Sequence, residues 1–467
     1  MEQNDKLKLS EKIAYGLSDL PEAANSIIAA VLMMFYTDSV GLAAGAVGTM
    51  LFISQLFDGV SDLIAGSLID RTRTRWGKAR PWLLWLCVPT GLSLALIFWI
   101  PVNASQTAKM IYAFCTYNLY VTVLYTIVGL AKVALMPLMT QNGLERGKLA
   151  MFSLIFGLGC TVLGISVTFP FISRLGGGVF AWRIVFALYG FIISAGLLAA
   201  FLLSEEHVES IAAVEDKIAD KKSEKYTFID NVKNFCRNKY FIFAFAMTVF
   251  VNTAVQLNNN SQVYFYTYAM NNKMLTSSLS LVGLVPLILS ILFLSTPSLR
   301  LFGKKGSVYI GCIGQLFGYV LSVIASKNAN VPLLAVGLVV RNLSTGPLSV
   351  PINTLSADAV DYGEYLTNRR IEGTGSAIVT FSQKLSNGVS VGLVGWVLAL
   401  TGYVANEMQS AKTIFGISLM YAYLPMILLA LVAVSFKIFY RYDKEEADVM
   451  RTLKERKAAA MSKGGSK

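Results

Sequence analysis

Long apolar stretches recur along this chain so closely that little else fits between them. Six run at about 16–37, 43–69, 82–101, 110–137, 149–172 and 182–203, and six more at about 240–268, 276–297, 306–326, 332–355, 374–401 and 413–440. Crossing ~30 Å of hydrocarbon takes about 20 apolar residues of helix. A segment in lipid must also satisfy its own backbone N–H and C=O groups, which a helix does and an open strand does not. The pattern predicts an all-α integral membrane protein with twelve transmembrane helices. Composition agrees, since 55% of the 467 residues are apolar and only 15% charged, against about 25% charged in soluble domains. A soluble enzyme, a disordered chain and a fibrous repeat are thereby excluded.

One long interior stretch is hydrophilic, 204–239, beginning SEEHVESIAAVEDKIADKKSEK. The expected organisation is an N-terminal six-helix half at 1–203, a cytoplasmic linker at 204–239, a C-terminal six-helix half at 240–440 and a cytoplasmic tail at 441–467. Basic residues mark the cytoplasmic side. The link after the second helix, DRTRTRWGKARP, carries Arg71, Arg73, Arg75, Lys78 and Arg80. The linker, the link with Arg300, Lys304 and Lys305, the link with Arg369 and Arg370, and both termini are basic as well. The opposite links are poorer in Lys and Arg, with Arg174 and Arg183 as the exception. Both termini are therefore expected in the cytoplasm, in a multi-pass protein of the inner or plasma membrane. This asymmetry accounts for the net charge of +12 without a nucleic-acid partner. The opening MEQNDKLKLSEK lacks the pattern of a cleaved signal peptide. His207 is the only histidine, and Cys87, Cys115, Cys160, Cys236 and Cys312 are scattered without a CxxC pair. No metal site, catalytic residue or disulfide framework is expected, and the chain does not read as an enzyme.

Charges inside spans are costly and are the first functional candidates. The second helix reads LFISQLFDGVSDLIAGSLID. Asp58 and Asp62 lie four apart, hence on one face and about 6 Å apart along the axis. Two such carboxylates repel unless one holds a proton or a cation joins them. Gln55 and Ser61 could add oxygen ligands. The plainer alternative is a structural pair between one Asp and a lysine. In the first helix, Glu22 and Asn25 share a face and could take sugar hydroxyls, whereas Asp19 reads as a helix-start or interfacial acid. Lys384, deep in the eleventh helix with Thr380 and Asn387 beside it, needs a carboxylate partner, and Asp58 or Asp62 is the natural one. Lys132 and Arg341 could contact an anionic substrate or pair with an acid, and Lys132 could also snorkel. Asn252, Gln256, Asn259 and Asn260 form a polar stripe on the seventh helix, suited to a hydroxyl-rich ligand or to helix bridging. Tyr120 and Tyr125 could stack on a sugar ring.

YTD at 36–38, FDGVSD followed by DRTRTRWGKARPW, and DAVDYGEYLTNRRIEG at 358–373 together resemble the glycoside–pentoside–hexuronide:cation symporters, over essentially the whole chain. The resemblance implies a major-facilitator fold and cation-coupled sugar uptake by alternating access. By position it implies that Asp58, Asp62 and Thr126 bind the cation, that Lys384 balances the empty site, and that Glu22 contacts sugar. Three residues depart from the melibiose-type pattern. Gly129 replaces an acid, Val133 a tryptophan and Leu154 an arginine, so galactoside specificity is not implied and a proton is favoured over sodium.

The expectation is thus a symporter of a sugar, glycoside or uronide, with H⁺ or Na⁺ as coupling ion and no other cofactor. Glu22, Asn25, Tyr125, Asn252, Gln256, Thr380, Arg341 and Lys132 are its candidate substrate residues. A cytoplasmic gate would pair Asp70, Asp358, Asp361 and Glu364 with Arg71, Arg73, Arg75, Arg369 or Arg370. The links RTRTRWGK and RLFGKKG echo each other faintly, as the repeats of secondary transporters do. The partners expected are a small sugar and the bilayer, with the protein a monomer. The competing readings are a lysolipid carrier on the same fold and a non-transporting sensor.

Overall fold

Each apolar stretch is helical in the computed structural model, which describes residues 7–207, 238–367, 372–440, 445, 449–453 and 455–456. Most of the expected linker and tail lies outside the described residues, as do Cys236, Arg369 and Arg370. Among the described residues the only β pairing is an isolated bridge between Thr74 and Gly77, and eleven helices are long and apolar enough to cross a membrane. The first seven are α1 (Leu9–Ser39), α2 (Ala44–Arg71), α3 (Arg80–Phe98), α4 (Gln106–Met139), α5 (Gly143–Arg174), α6 (Val179–Leu203) and α7 (Lys239–Ala269). The next, Leu275–Lys327, has 53 residues, which as one rod would reach about 80 Å, more than twice the hydrocarbon thickness. It breaks at Gly303, whose φ of 65° and ψ of −178° are not helical. It is therefore two spans, α8 (275–302) and α9 (304–327). With α10 (Val331–Leu366), α11 (Glu372–Thr401) and α12 (Ala411–Ile438), the expected twelve are complete.

By contacts the chain divides into two compact units. The first holds Met1–Ser223 together with Asn259–Leu281 and Val391–Ile417, and the second holds Glu224–Asn258, Val282–Ser390 and Ser418–Lys467. The last third of α7, the start of α8 and the end of α11 thus belong with the first six helices. In each unit, glycines bring helix backbones together. A Cβ on Gly91 of α3 would stand 2.1 Å from the Gly190 carbonyl of α6, and one on Gly190 would stand 2.3 Å from that of Gly91. Gly48 of α2 meets Gly395 of α11 in the same way, and in the second unit Gly318 of α9 meets Gly337 of α10. Such small-residue contacts replace the hydrophobic drive that lipid does not provide. Beside the α3–α6 contact, Phe98 and Phe186 stack at 3.6 Å between centroids.

Two local features follow from the chain rather than from packing. α1 is interrupted at Ser18–Asp19, just before Pro21, which lacks an N–H for the helical ladder. π-helical turns end α1 at Phe35–Ser39 and α7 at Phe265–Ala269, and another spans Leu119–Tyr125 within α4. The first two read FYTD and FYTY. Each is closed by the same pair of bonds, Val40 N–H to Phe35 O and Leu42 N–H to Tyr36 O in one, Met270 N–H to Phe265 O and Asn272 N–H to Tyr266 O in the other. The internal echo is clearer here than in the basic links.

At the other end of α3, Glu206 accepts the backbone N–H groups of Lys78, Ala79 and Arg80 at 2.9–3.0 Å. A carboxylate at a helix N-terminus satisfies donors that no preceding carbonyl reaches. Gly91→Val would force the α3 and α6 backbones apart, an overpacking that costs about 1–3 kcal/mol. The thermal midpoint of the purified protein should fall by several degrees. Gly159→Ala, where a Cβ meets nothing within 4 Å, should leave it unchanged, and equal midpoints for the two variants would contradict the close approach.

Candidate functional site

Asp58 is buried on α2. The Thr126 hydroxyl of α4 faces it at 3.0 Å from Oδ1 and lies 3.1 Å from the Val121 carbonyl, five residues back along the π-turn. Ser61 donates at 2.8 Å to the Asp58 carbonyl, with its hydroxyl 3.5 Å from Oδ1. One turn away, Gln55 donates its amide to the Tyr117 hydroxyl at 3.0 Å, leaving Tyr117 on the α4 side of the same cluster. Asp62 is half-buried one turn further along α2. The arrangement is a set of oxygen atoms around a buried carboxylate, the donor chemistry of a proton or a hard cation.

The residue before Thr126 reaches a second acid. The Tyr125 hydroxyl donates to the Glu22 carboxylate of α1. Tyr120 donates to the Pro21 carbonyl at 3.2 Å, just past the α1 interruption. Two consecutive residues at the end of one π-turn therefore hold two carboxylates on two different helices. A regular α-helix also turns consecutive side chains about 100° apart. Here the wider π-turn just before them sets which neighbours they meet.

Lys132, two turns along α4, pairs with Asp19, donates to Ser153 at 2.8 Å and lies 5.4 Å from the centre of the Tyr15 ring. This corrects one expectation and selects among others. Asp19 is a buried ion-pair partner rather than an interfacial acid, and of the alternatives open to Lys132 the structure shows pairing with an acid. The physical reason is the break at Ser18–Asp19, which aims Asp19 at α4. Asp19 Oδ2 has no hydrogen-bond partner among the described residues. Asn25 is half-buried on the same helix.

Of the other candidates, Arg341, Asn252, Gln256, Lys384 and Thr380 lie in the second unit. Arg341 is buried, its guanidinium 4.9 Å from the Tyr319 ring centre and 5.6 Å from that of Tyr421. Asn258 donates to the Tyr421 carbonyl at 3.0 Å, a residue the polar stripe on α7 omitted. Asn252, Gln256 and Lys384 are half-buried, and Thr380 is exposed. At the basic links, Asp70 pairs with Lys78 at 2.8 Å and Asp358 with Lys304 at 2.7 Å, lysines that the expected pairing with arginines did not include. Tyr440 also donates to Asp358 at 3.0 Å. The tight turn at Thr74–Gly77 folds Lys78 back onto the end of α2. Arg71 and Arg73 are exposed, and Arg75 lies over the Trp76 ring at 4.5 Å. Asp361 and Glu364 are half-buried on α10. Ser153, Tyr117 and Glu206 were not singled out from sequence, because an isolated hydroxyl or surface acid carries no pattern.

An all-helical, twelve-span chain with acids and hydroxyls buried between its helices defines a polytopic membrane carrier. The chain belongs to the MFS/sugar transport protein family, whose model matches residues 14–444. It is 31% identical over 460 residues to the isoprimeverose transporter of Lactiplantibacillus pentosus, covering 96% of this chain and 92% of that one. It is 28% identical over 461 residues to the glucuronide carrier protein homolog of Escherichia coli K12, covering 97% of each. Its fold matches a crystal structure of a D-xylose-proton symporter with a TM-score of 0.64 at 16% identity, over 92% of this chain and 97% of the other. These matches establish a major-facilitator fold.

Lys132→Met would strand the buried Asp19 charge, at a cost of about 3–5 kcal/mol. Lys132→Met combined with Asp19→Asn should recover much of that loss. Thermal unfolding of the single and double variants measures the coupling, and additive losses would show that the two groups do not interact.

Proposed function

We propose that the chain is a secondary transporter that carries a neutral sugar or glycoside into the cell together with a cation, by alternating access. Asp58, Asp62 and Thr126 take the ion, and Lys384 balances their charge when the ion is absent. Glu22, with Tyr125, Asn25, Asn252, Gln256 and Thr380, holds sugar hydroxyls. The observation that carries this reading is the adjacency of Tyr125 and Thr126. One short piece of α4 touches both the acid proposed for sugar and the acid proposed for the ion. Filling either site shifts that piece and changes the affinity of the other, which is the differential binding that coupling requires.

The charge distribution favours a neutral substrate over a uronide. Lys132 is committed to Asp19, and Arg341 is stacked between two tyrosines. The relative named for isoprimeverose supports the same choice. Gly129 leaves the ion site without a further acid, so the coupling ion we propose is the proton. The protein would work as a monomer in the cytoplasmic membrane, both termini inside, with Asp70, Asp358, Asp361, Glu364 and the basic links closing the inner side.

Uptake of isoprimeverose, a glucuronide and labelled lysolipid into proteoliposomes, with proton and sodium gradients imposed separately, tests the proposal. Accumulation of the neutral glycoside under a proton gradient is the expected result, and accumulation of lysolipid alone would overturn it. Asp58→Asn and Lys384→Ala should reduce accumulation to the level without a gradient while the protein still inserts. Thr126→Ala removes a hydrogen bond to a charged group, worth about 1.5 kcal/mol or ~10-fold in apparent ion affinity, and Thr126→Ser should restore it. Wild-type accumulation by Asp58→Asn would remove the ion site from the mechanism.

A further inference from the structure

The two FYT turns carry different fourth residues, and those residues meet. Asp38 ends α1 and Tyr268 ends α7, both in the first unit, and the Tyr268 hydroxyl donates to Asp38 Oδ2 at 2.7 Å. Tyr403, just past α11, donates to Asp38 Oδ1 at 2.5 Å and lies 2.9 Å from the Tyr268 hydroxyl. Gly402, at φ 77°, supplies the left-handed turn that brings Tyr403 back. The set is closed by further bonds. Thr37 donates to Asp38 Oδ1 at 2.7 Å and shares a hydrogen bond with Tyr264 at 3.0 Å. Asn406 donates its amide to the Asp38 carbonyl at 2.7 Å and its backbone N–H to Tyr268 at 3.1 Å. The three tyrosine rings pack on one another at 5.5–6.5 Å between centroids. Half-buried Lys273 stands over the Phe169 ring, and burial lowers its pKa while Asp38 opposes that shift.

We propose that Asp38 is a positioning residue that latches the ends of α1, α7 and α11 on the side opposite the basic links, so that opening to that side requires its phenol bonds to be exchanged for water. The inference rests on the transporter reading, since only an alternating protein needs such a latch. Among the described residues, the partners of Asp38 come from α1 itself, the end of α7 and the link after α11, and none of these helices is joined to another by a short link. The carboxylate is thus the point at which three separate segments are fastened. The two repeat positions have divided the work, with the acceptor on one and the donor on the other. An Asn at position 38 keeps the volume but turns one of the two oxygens into an NH₂ donor, so the phenol on that side loses its acceptor. Removal of the two phenol hydroxyls leaves the rings in contact and the carboxylate without those donors.

The test reads helix-end separation directly. Spin labels at Asn103→Cys and Met408→Cys, both exposed on links of that side, are placed in an otherwise cysteine-free full chain in lipid nanodiscs. Pulsed electron–electron resonance then gives their distance distribution. In the Tyr268→Phe/Tyr403→Phe double variant and in Asp38→Asn, the longer-distance population should rise at least threefold, and Asp38→Glu should return part of the way. A control pair at Asn103→Cys and Arg174→Cys should not change, whereas loss of folding would broaden it. Unaltered Asn103–Met408 distributions in both variants, with the control pair intact, would overturn the latch. Sugar uptake by the parent protein is scored separately. Failure of uptake together with a shifted distribution would therefore count against the substrate reading and not against the latch.

Discussion

An ionised carboxylate at the depth of Asp58 costs several kcal/mol unless a cation, a proton or a set of donors meets it. That constraint shapes the surrounding structure. It calls for a hydroxyl on the facing helix, which Thr126 supplies, and it calls for the backbone of α4 to turn that hydroxyl towards α2, which the π-turn at Leu119–Tyr125 does. The same turn commits Tyr125 to Glu22. Replacing such a buried polar pair by apolar residues is often neutral or stabilising. The polar groups gather on the face where α1, α2 and α4 meet, while the glycine contacts of α3 with α6 hold the neighbouring helices at backbone proximity.

Much of the architecture was readable in the order of residues because a membrane reduces the problem to length. Twelve apolar stretches gave twelve spans, and even the one merged helix is divided at Gly303, inside the gap between the stretches at 276–297 and 306–326. The buried acids stood out for the same reason, since a charge in such a stretch has few bland explanations. Other features left no trace. A π-turn inserts one residue into a helix without any compositional mark, so the register that sends Tyr125 and Thr126 to different acids could not be foreseen. Asp19 and Lys132 were each visible as charges, but they lie 113 residues apart, and only the interruption of α1 makes them partners. YTD carries part of the family resemblance, while its counterpart FYTY has no charge and no mark that sets it apart.

The charges at the basic links show a similar division. Position in the chain predicts a shared side for them, because basic residues accumulate on one side for reasons of insertion. It did not identify which base meets which acid. Asp70 takes Lys78 because the Thr74–Gly77 turn delivers it, Asp358 takes Lys304, and Arg75 lies over the Trp76 ring. Glu206 belongs to the same region and acts through geometry alone, by offering its oxygens where the first N–H groups of α3 emerge.

The single residue that separates α8 from α9 has a mechanical consequence. Gly303 leaves the two helices no slack, so they share one pivot like the arms of a bent lever. Any tilt of the first arm must be taken up either by torsion at that glycine or by sweeping the second arm with it. A side chain that narrowed the torsional range there would stiffen the elbow, and the two arms would then turn as one.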